Sequence, residues 1–169
     1  VSPRFSKNMI INGKNDLKEI IDTAKQLGKK VLIKKGVFDI IHPGHIYAIS
    51  QFAKKADIVV ILIQSDELTK RKKGKLRPIN NQKQRAEVVD GIKGVDYVFR
   101  DTSNSREEYL SLLKFLKPTI VAITLTDNTK TKSYTNHFWK LIEFPDKKEK
   151  EYSTTSIIDR IISKYKIDS

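Results

Sequence analysis

The chain contains no cysteine, which excludes disulfides, cysteine-ligated zinc and a thiol nucleophile. No apolar run approaches the roughly 18 residues that a membrane-spanning helix needs, so neither a transmembrane segment nor a membrane partner is expected. Val1 to Gly13 has no sustained apolar core, and no secretory signal is read there. A cytoplasmic location is compatible with these absences and is the expectation. Acidic residues are the other shortage. Twenty Asp and Glu stand against 33 Lys and Arg, a formal net charge of +13, which favours polyanionic or phosphorylated partners. Aromatic residues make up 8% of the chain and none interrupts the most basic stretch, so a stacking platform for single strands is not indicated. No specific nucleic acid is expected.

What is present suits a globular domain. At 169 residues, 38% hydrophobic and 31% charged, the chain is long enough for one domain with a proper core. Residues 1–15 read as an N-terminal extension and 16–169 as the domain. Asp16-Leu17-Lys18-Glu19 resembles a capping box opening a first helix, with Leu17, Ile20, Ile21 and Ala24 at helical spacing and Gly28 as its stop. Strands are expected at Lys30–Lys34, Asp57–Ile63, Val95–Val98 and Thr119–Thr124, with a short last one from Trp139 to Phe144. Between them lie a helix from Ile46 to Ala53, one capped by Asn81 and reaching about Ile92, and one capped by Ser105 and ended by Pro118. A final amphipathic helix contains Ile157 to Ile162. Strand, helix and strand in about thirty residues form a βαβ unit. The reading is a single Rossmann-like α/β domain, with a mostly parallel sheet flanked by helices.

The most informative stretch is Gly36-Val37-Phe38-Asp39-Ile40-Ile41-His42-Pro43-Gly44-His45, a strand-to-helix turn with Gly44 where the helix begins. Free amides and the helix dipole there favour an anion such as phosphate, and His42 and His45, three apart, fall on one side of the helix start. The same residues read equally as a capped structural turn. No third His or Cys lies nearby to complete a metal site, and no residue is assigned to a metal. Six of the nine residues from Thr69 to Arg77 are basic. Ser65 to Arg77 reads as a surface loop at a strand's carboxyl end, where mobile lysines can close over a triphosphate. Ser153, Thr154 and Thr155 cluster at a helix start, where hydroxyls normally cap.

The G-x-F-D-x-x-H-x-G-H turn resembles the nucleotide site of the cytidylyltransferase-like nucleotidyltransferases. Lys70-Arg71, Lys73-Gly74 and Arg77-Pro78-Ile79 resemble the loop of the heptose-1-phosphate adenylyltransferases, and Ser153-Thr154-Thr155 the family's Ser-Thr-Thr element. The resemblance covers about Asp16 to Tyr165. It implies catalytic roles for His42 and His45 at the α-phosphate and for Lys73 at the α/β-phosphates. It implies nucleotide contacts for Gly36, Val37, Phe38, Asp39, Gly44, Asp66, Arg85, Ser153, Thr154 and Thr155. Thr124 and Asp127 are added because Thr124-Leu125-Thr126-Asp127-Asn128 stands where the heptose-type enzymes carry Lys-Gly-Gly-Asp-Tyr near the base. Asp39 is expected to orient the turn or to support magnesium. His137 is expected to be a surface residue, and Lys148 stands about where many relatives carry an arginine. The implied reaction transfers a nucleotidyl group from ATP or CTP to a phosphorylated acceptor such as a sugar 1-phosphate, with Mg2+ accompanying the NTP and pyrophosphate released. A homodimer and a part in lipopolysaccharide core biosynthesis follow from the heptose type. FAD synthetase and glycerol- or choline-phosphate cytidylyltransferase are the alternatives within the enzyme class. A basic nucleic-acid-binding module, resting only on the net charge, is the alternative outside it.

Overall fold

The computed structural model describes residues 9–124, 138–144 and 152–165. Its elements, in chain order, are β1 (Ile10–Ile11), α1 (Lys14–Gln26), β2 (Val31–Gly36), α2 (Pro43–Phe52), β3 (Ile58–Ile63), α3 (Asp66–Lys73), α4 (Gln82–Asp90), β4 (Tyr97–Arg100), α5 (Arg106–Leu116), β5 (Ile120–Thr124), β6 (Lys140–Phe144) and α6 (Thr154–Tyr165). Six strands form one sheet in the order β1-β4-β3-β2-β5-β6, and every neighbouring pair runs parallel.

Parallel strands must be covered on both faces, and alternation along each strand divides the core accordingly. Val31 and Ile33 of β2 pack with Leu17, Ile21 and Ala24 of α1 and with Tyr109, Leu113 and Leu116 of α5. Leu32 faces the other way, with Ile49 and Phe52 of α2 and Ala86 and Val89 of α4. The result is the doubly wound arrangement expected from the sequence. Chain order places β3 on one side of β2 and β5 on the other. The connection therefore reverses direction at β2, which opens a crevice at the carboxyl ends of β2 and β5. The turn carrying His42 and His45 leads out of β2 into that crevice.

Several local expectations are corrected. Helix α1 starts at Lys14 and is capped by Gly13, not Asp16. Ile10 and Ile11 are no mere extension, because they pair with Val98 and Phe99 as an edge strand. In α2 the buried residues are Ile49 and Phe52, while Ile46 is 46% exposed and Ala53 lies outside the helix. Helix α4, expected to reach about Ile92, ends at Asp90, with Ala86 and Val89 buried and Val88 facing solvent, while Asn81 caps it as expected. Trp139, expected to open the last strand, lies just before β6 and is buried in the core.

The largest correction concerns Ser65 to Arg77, read as a mobile loop. Most of it is α3. Ser65 Oγ accepts from Leu68 N, Leu68 and Thr69 are buried, and Glu67 pairs with Arg71 one turn on. Acidic residues occupy the first turn and basic residues the last, the arrangement the helix dipole favours. Lys, Arg, Glu and Leu are also strong helix formers. The run of charge is a solvated helix face, and Gly74, with φ 102°, ends it.

Candidate active site

Gly36 closes β2 opposite Ile63 of β3. The next two residues reverse the chain so tightly that Phe38 takes φ 52° and its ring lies back over Gly36. A Cβ at position 36 would sit 2.6 Å from Phe38 Cε2, so glycine is required there on steric grounds. The buried Phe38 ring in turn supports the histidines, with its centroid 5.1 Å from that of His45. His42 caps α2 in an extended conformation and Pro43 follows at the first helical position, where its missing N–H costs nothing.

The imidazoles of His42 and His45 stack, with centroids 3.8 Å apart and planes 27° from parallel. The expectation that both lie on one side of the helix start is met. Burial, and secondarily His42 beside it, hold the pKa of His45 down to about 3, so this imidazole is neutral at physiological pH. Its Nδ1 is buried with no hydrogen-bond partner among the described residues. A buried polar atom left this way is an exception in proteins and fits a group awaiting a ligand. An open depression of about 610 Å³ adjoins the pair, lined by Ile41, His42, Pro43, Ile46 and Tyr47.

The start of α6 is brought to the same place. Ser153 Oγ accepts from Ser156 N at 3.0 Å and Ser153 O accepts from Ile157 N, so Ser153 is the cap. Thr154 Oγ1 donates to Ile40 O inside the histidine turn. A Cβ on Gly44 would meet Tyr152 O at 3.5 Å and His42 Nδ1 at 3.0 Å, so Gly44 admits both the imidazole and the end of α6. Two helix N-termini, α2 and α6, thus meet beside two imidazoles. Each presents the positive end of its dipole, although at α2 Pro43 has no N–H and the amides of His45 and Ile46 already donate to His42 O.

Asp39 fixes the other side of the turn. Its carboxylate accepts from Ile79 N at 2.9 Å and Asn80 N at 3.0 Å and from Arg77 Nε at 2.7 Å. Burial alone would raise its pKa. The amide bonds from Asn80 and Ile79, and then Arg77, outweigh burial and hold it below the usual carboxylate value. Asp39 thereby ties the turn to Arg77, Ile79 and Asn80 in the segment after α3. Arg85 is fully buried. Its Nη1 donates to Val37 O, its Nη2 to Gln64 O and Asp66 Oδ1, and its Nε to Asn80 O. Arg85 thus braces the ends of β2 and β3 and the start of α3 through Val37 and Asp66, and its own guanidinium is enclosed, while Val37 and Asp66 are part-exposed.

Gly36, Val37, Phe38, Asp39, Gly44, His42, His45, Ser153 and Thr154 are thus gathered at one place, while Thr155 is exposed in the first turn of α6. Lys73 is exposed at the end of α3, and among the described residues no hydrogen bond or ion pair joins it to the turn. Thr124 ends β5, on the ligand side. The Thr124 side chain, Asp127, His137 and Lys148 lie outside the described residues. Sequence reasoning gave no separate role to Arg77, although its place beside a turn-forming proline in the basic run was visible. It also passed over Lys35, whose Nζ lies 2.5 Å from Asp101 and 4.7 Å from the Tyr109 ring centroid. That pair ties β2 to the end of β4. Among the described residues no group of three or more His, Cys, Asp or Glu could hold a metal, and the Asp39 carboxylate is already engaged. The protein side chains described do not form a magnesium cage.

Comparison with known proteins speaks to the family and the fold. The profile of the cytidylyltransferase-like family matches residues 33–160. The bifunctional protein HldE of Marinomonas sp. (strain MWYL1) is 32% identical over 151 residues, covering 86% of this chain and 30% of that protein. The protein of the same name from Actinobacillus pleuropneumoniae serotype 5b (strain L20) is 39% identical over 88 residues, covering 52% of this chain and 18% of that protein. The chain therefore spans less than a third of the length of these relatives. Among solved structures, the lipopolysaccharide core biosynthesis protein from Thermoplasma volcanium GSS1 superposes with a TM-score of 0.57 at 24% identity, over 69% of this chain and 97% of that one. A pantoate-beta-alanine ligase from Francisella tularensis gives 0.57 at 16% identity, over 93% and 78%. At those identities the two structures speak for the fold, whereas the profile covers most of the chain, including the histidine turn and the start of α6. The chain belongs to the cytidylyltransferase-like family.

Proposed function

We propose that this domain transfers a nucleotidyl group from ATP or CTP to a phosphorylated acceptor, a sugar 1-phosphate in the first instance. The observation that carries the reading is the meeting of the α2 and α6 N-termini at the stacked pair His42 and His45. Such a site offers many donors to phosphate oxygens, and the transfer needs no covalent nucleophile. An oxygen of the acceptor phosphate attacks the α-phosphorus and forms a new P–O bond. The bond from the α-phosphorus to the bridging oxygen breaks, and pyrophosphate leaves with the electron pair. The acceptor phosphate is largely ionised at neutral pH, so no general base is required. Rate then comes from alignment and from preorganised donors facing the charge that develops.

In this reading His42 and His45 act at the α-phosphate, the amides and hydroxyls of Ser153 and Thr154 hold the tail of the triphosphate, and Lys73 approaches from α3. Mg2+ enters with the triphosphate, and no step is assigned to a protein-held metal. Similarity to bifunctional proteins named HldE and the Lys73-Gly74…Arg77-Pro78-Ile79 segment support the heptose-type acceptor over the choline-phosphate type. The proposal extends to a cytoplasmic homodimer acting in lipopolysaccharide core biosynthesis. It is tested by measuring pyrophosphate release for each NTP against a panel of phosphorylated acceptors. His42→Ala and His45→Ala are each expected to lower kcat by about a hundredfold or more, as loss of a preorganised donor does. Near-normal turnover by both variants would return the turn to a structural role.

A further inference from the structure

Two arginines reach the histidine turn, and they use their donors differently. A guanidinium has five N–H groups and cannot lose its charge. Arg85 is wholly buried, and its Nε, Nη1 and Nη2 all donate, to three carbonyls and to Asp66. It has little left to offer a ligand. Arg77 donates through Nε alone, to Asp39 Oδ2 at 2.7 Å. Its Nη1 and Nη2 have no partner among the described residues, yet its side chain is only 13% exposed. Asp39 lies three residues before His42 in the same turn and is held from behind by the amides of Ile79 and Asn80. The guanidinium is therefore anchored at one nitrogen to Asp39 of the histidine turn, with no partner for its forked end among the described residues. A sheltered cationic fork of this kind matches two oxygens of one phosphate.

We propose that Arg77, held by Asp39, binds a phosphate group at the His42–His45 turn, the role that family resemblance lays on Arg85. The inference rests on the nucleotidyltransferase reading, which brings two phosphates to this place: the tail of the NTP and the phosphate of the acceptor. Both offer the same chemistry, and binding measurements separate them.

Arg77→Lys keeps a cation for Asp39 but removes the fork. Titration calorimetry on the whole chain, with inorganic tripolyphosphate for the nucleotide side and mannose 1-phosphate for the acceptor side, compares it with the wild type. The dissociation constant for one of the two probes is expected to rise about tenfold or more, the scale of one charge-assisted hydrogen bond. The probe affected identifies the source of the phosphate. Should Arg77→Lys fold poorly, Arg77→Met with Asp39→Asn removes the buried charge together with its partner and is expected to show the same loss. Binding of both probes within twofold of wild type in a folded variant would overturn the proposal, as would a wild type that binds neither. Pyrophosphate release measured in parallel separates the two readings. Transfer with unchanged probe affinity leaves the function standing and removes Arg77, whereas loss of probe affinity without transfer upholds Arg77 and removes the function.

Discussion

Replacing Arg85 by Met distinguishes a brace from a ligand contact. Methionine approximates the length of the side chain, so little cavity forms, but every hydrogen bond is lost. Asn80 O, Val37 O and Gln64 O lose a buried donor, and Asp66 loses its cation. Breaking a buried ion pair from one side costs about 3–5 kcal/mol, and each orphaned buried carbonyl adds about 1 kcal/mol or more. The Asp66 side chain is 36% exposed, and of the three carbonyl bonds only that to Gln64 O is fully buried, so water relieves about half of that sum. A total near 4 kcal/mol is therefore expected. For a domain of this size each kcal/mol shifts Tm by about 2–4 °C, which places the variant roughly 8–16 °C below wild type. Urea unfolding and a thermal melt give the two numbers. NTP affinity is then measured at low temperature, where the variant remains folded, and it should fall far less than the stability suggests. A variant as stable as wild type that no longer bound NTP would refute the reasoning. It would mean that the guanidinium leaves its buried site to meet the nucleotide.

Gly44→Ala puts a methyl 3.0 Å from His42 Nδ1 and must displace the imidazole by a few tenths of an ångström. Since alanine favours the helix by up to about 1 kcal/mol, the unfolding midpoint should hold or rise while kcat falls about tenfold. The depressed pKa of His45 sets a pH dependence. Below the ordinary value of 6.5 the unfolded chain takes up a proton that the folded protein refuses until about pH 3. Stability is therefore present above pH 6.5 and is lost on acidification by up to about 1.4 kcal/mol per pH unit. Urea midpoints between pH 7 and pH 5 should show this slope, and His45→Gln should flatten it. Lys73→Ala should lower kcat/KM by about tenfold to a hundredfold, and Lys70→Ala by little, since an exposed charge contributes about 1 kcal/mol or less. Equal, salt-sensitive losses at both would reduce α3 to an electrostatic funnel.

The sheet was legible because its strands are β-branched runs and its helices carry their caps in the sequence. Asn81 and Ser105 cap as read, and Ser153 does so too. The histidine turn was legible because its chemistry is local, contained in ten consecutive residues. Helix α3 was missed because six basic residues in nine were weighed as charge, while Ser65, Leu68 and Thr69 supplied a cap and a buried side that mattered more. Edge strand β1 is two residues long and has no periodicity to read. The division of labour between Arg77 and Arg85 could not be read from spacing at all. It depends on which donors already have partners, from 5 to 48 residues away in the chain, and those pairings exist only once β2, β3 and the segment after α3 are assembled.

The central claim is that chemistry occurs at the α-phosphorus, and position-labelled NTP tests it most directly. With label at the α-phosphate, an active acceptor should carry the label into a nucleotide conjugate, in step with pyrophosphate release. With label at the γ-phosphate, all of it should leave in pyrophosphate. Label from the γ-position appearing in the acceptor, or acceptor-independent release of inorganic phosphate alone, would contradict the account.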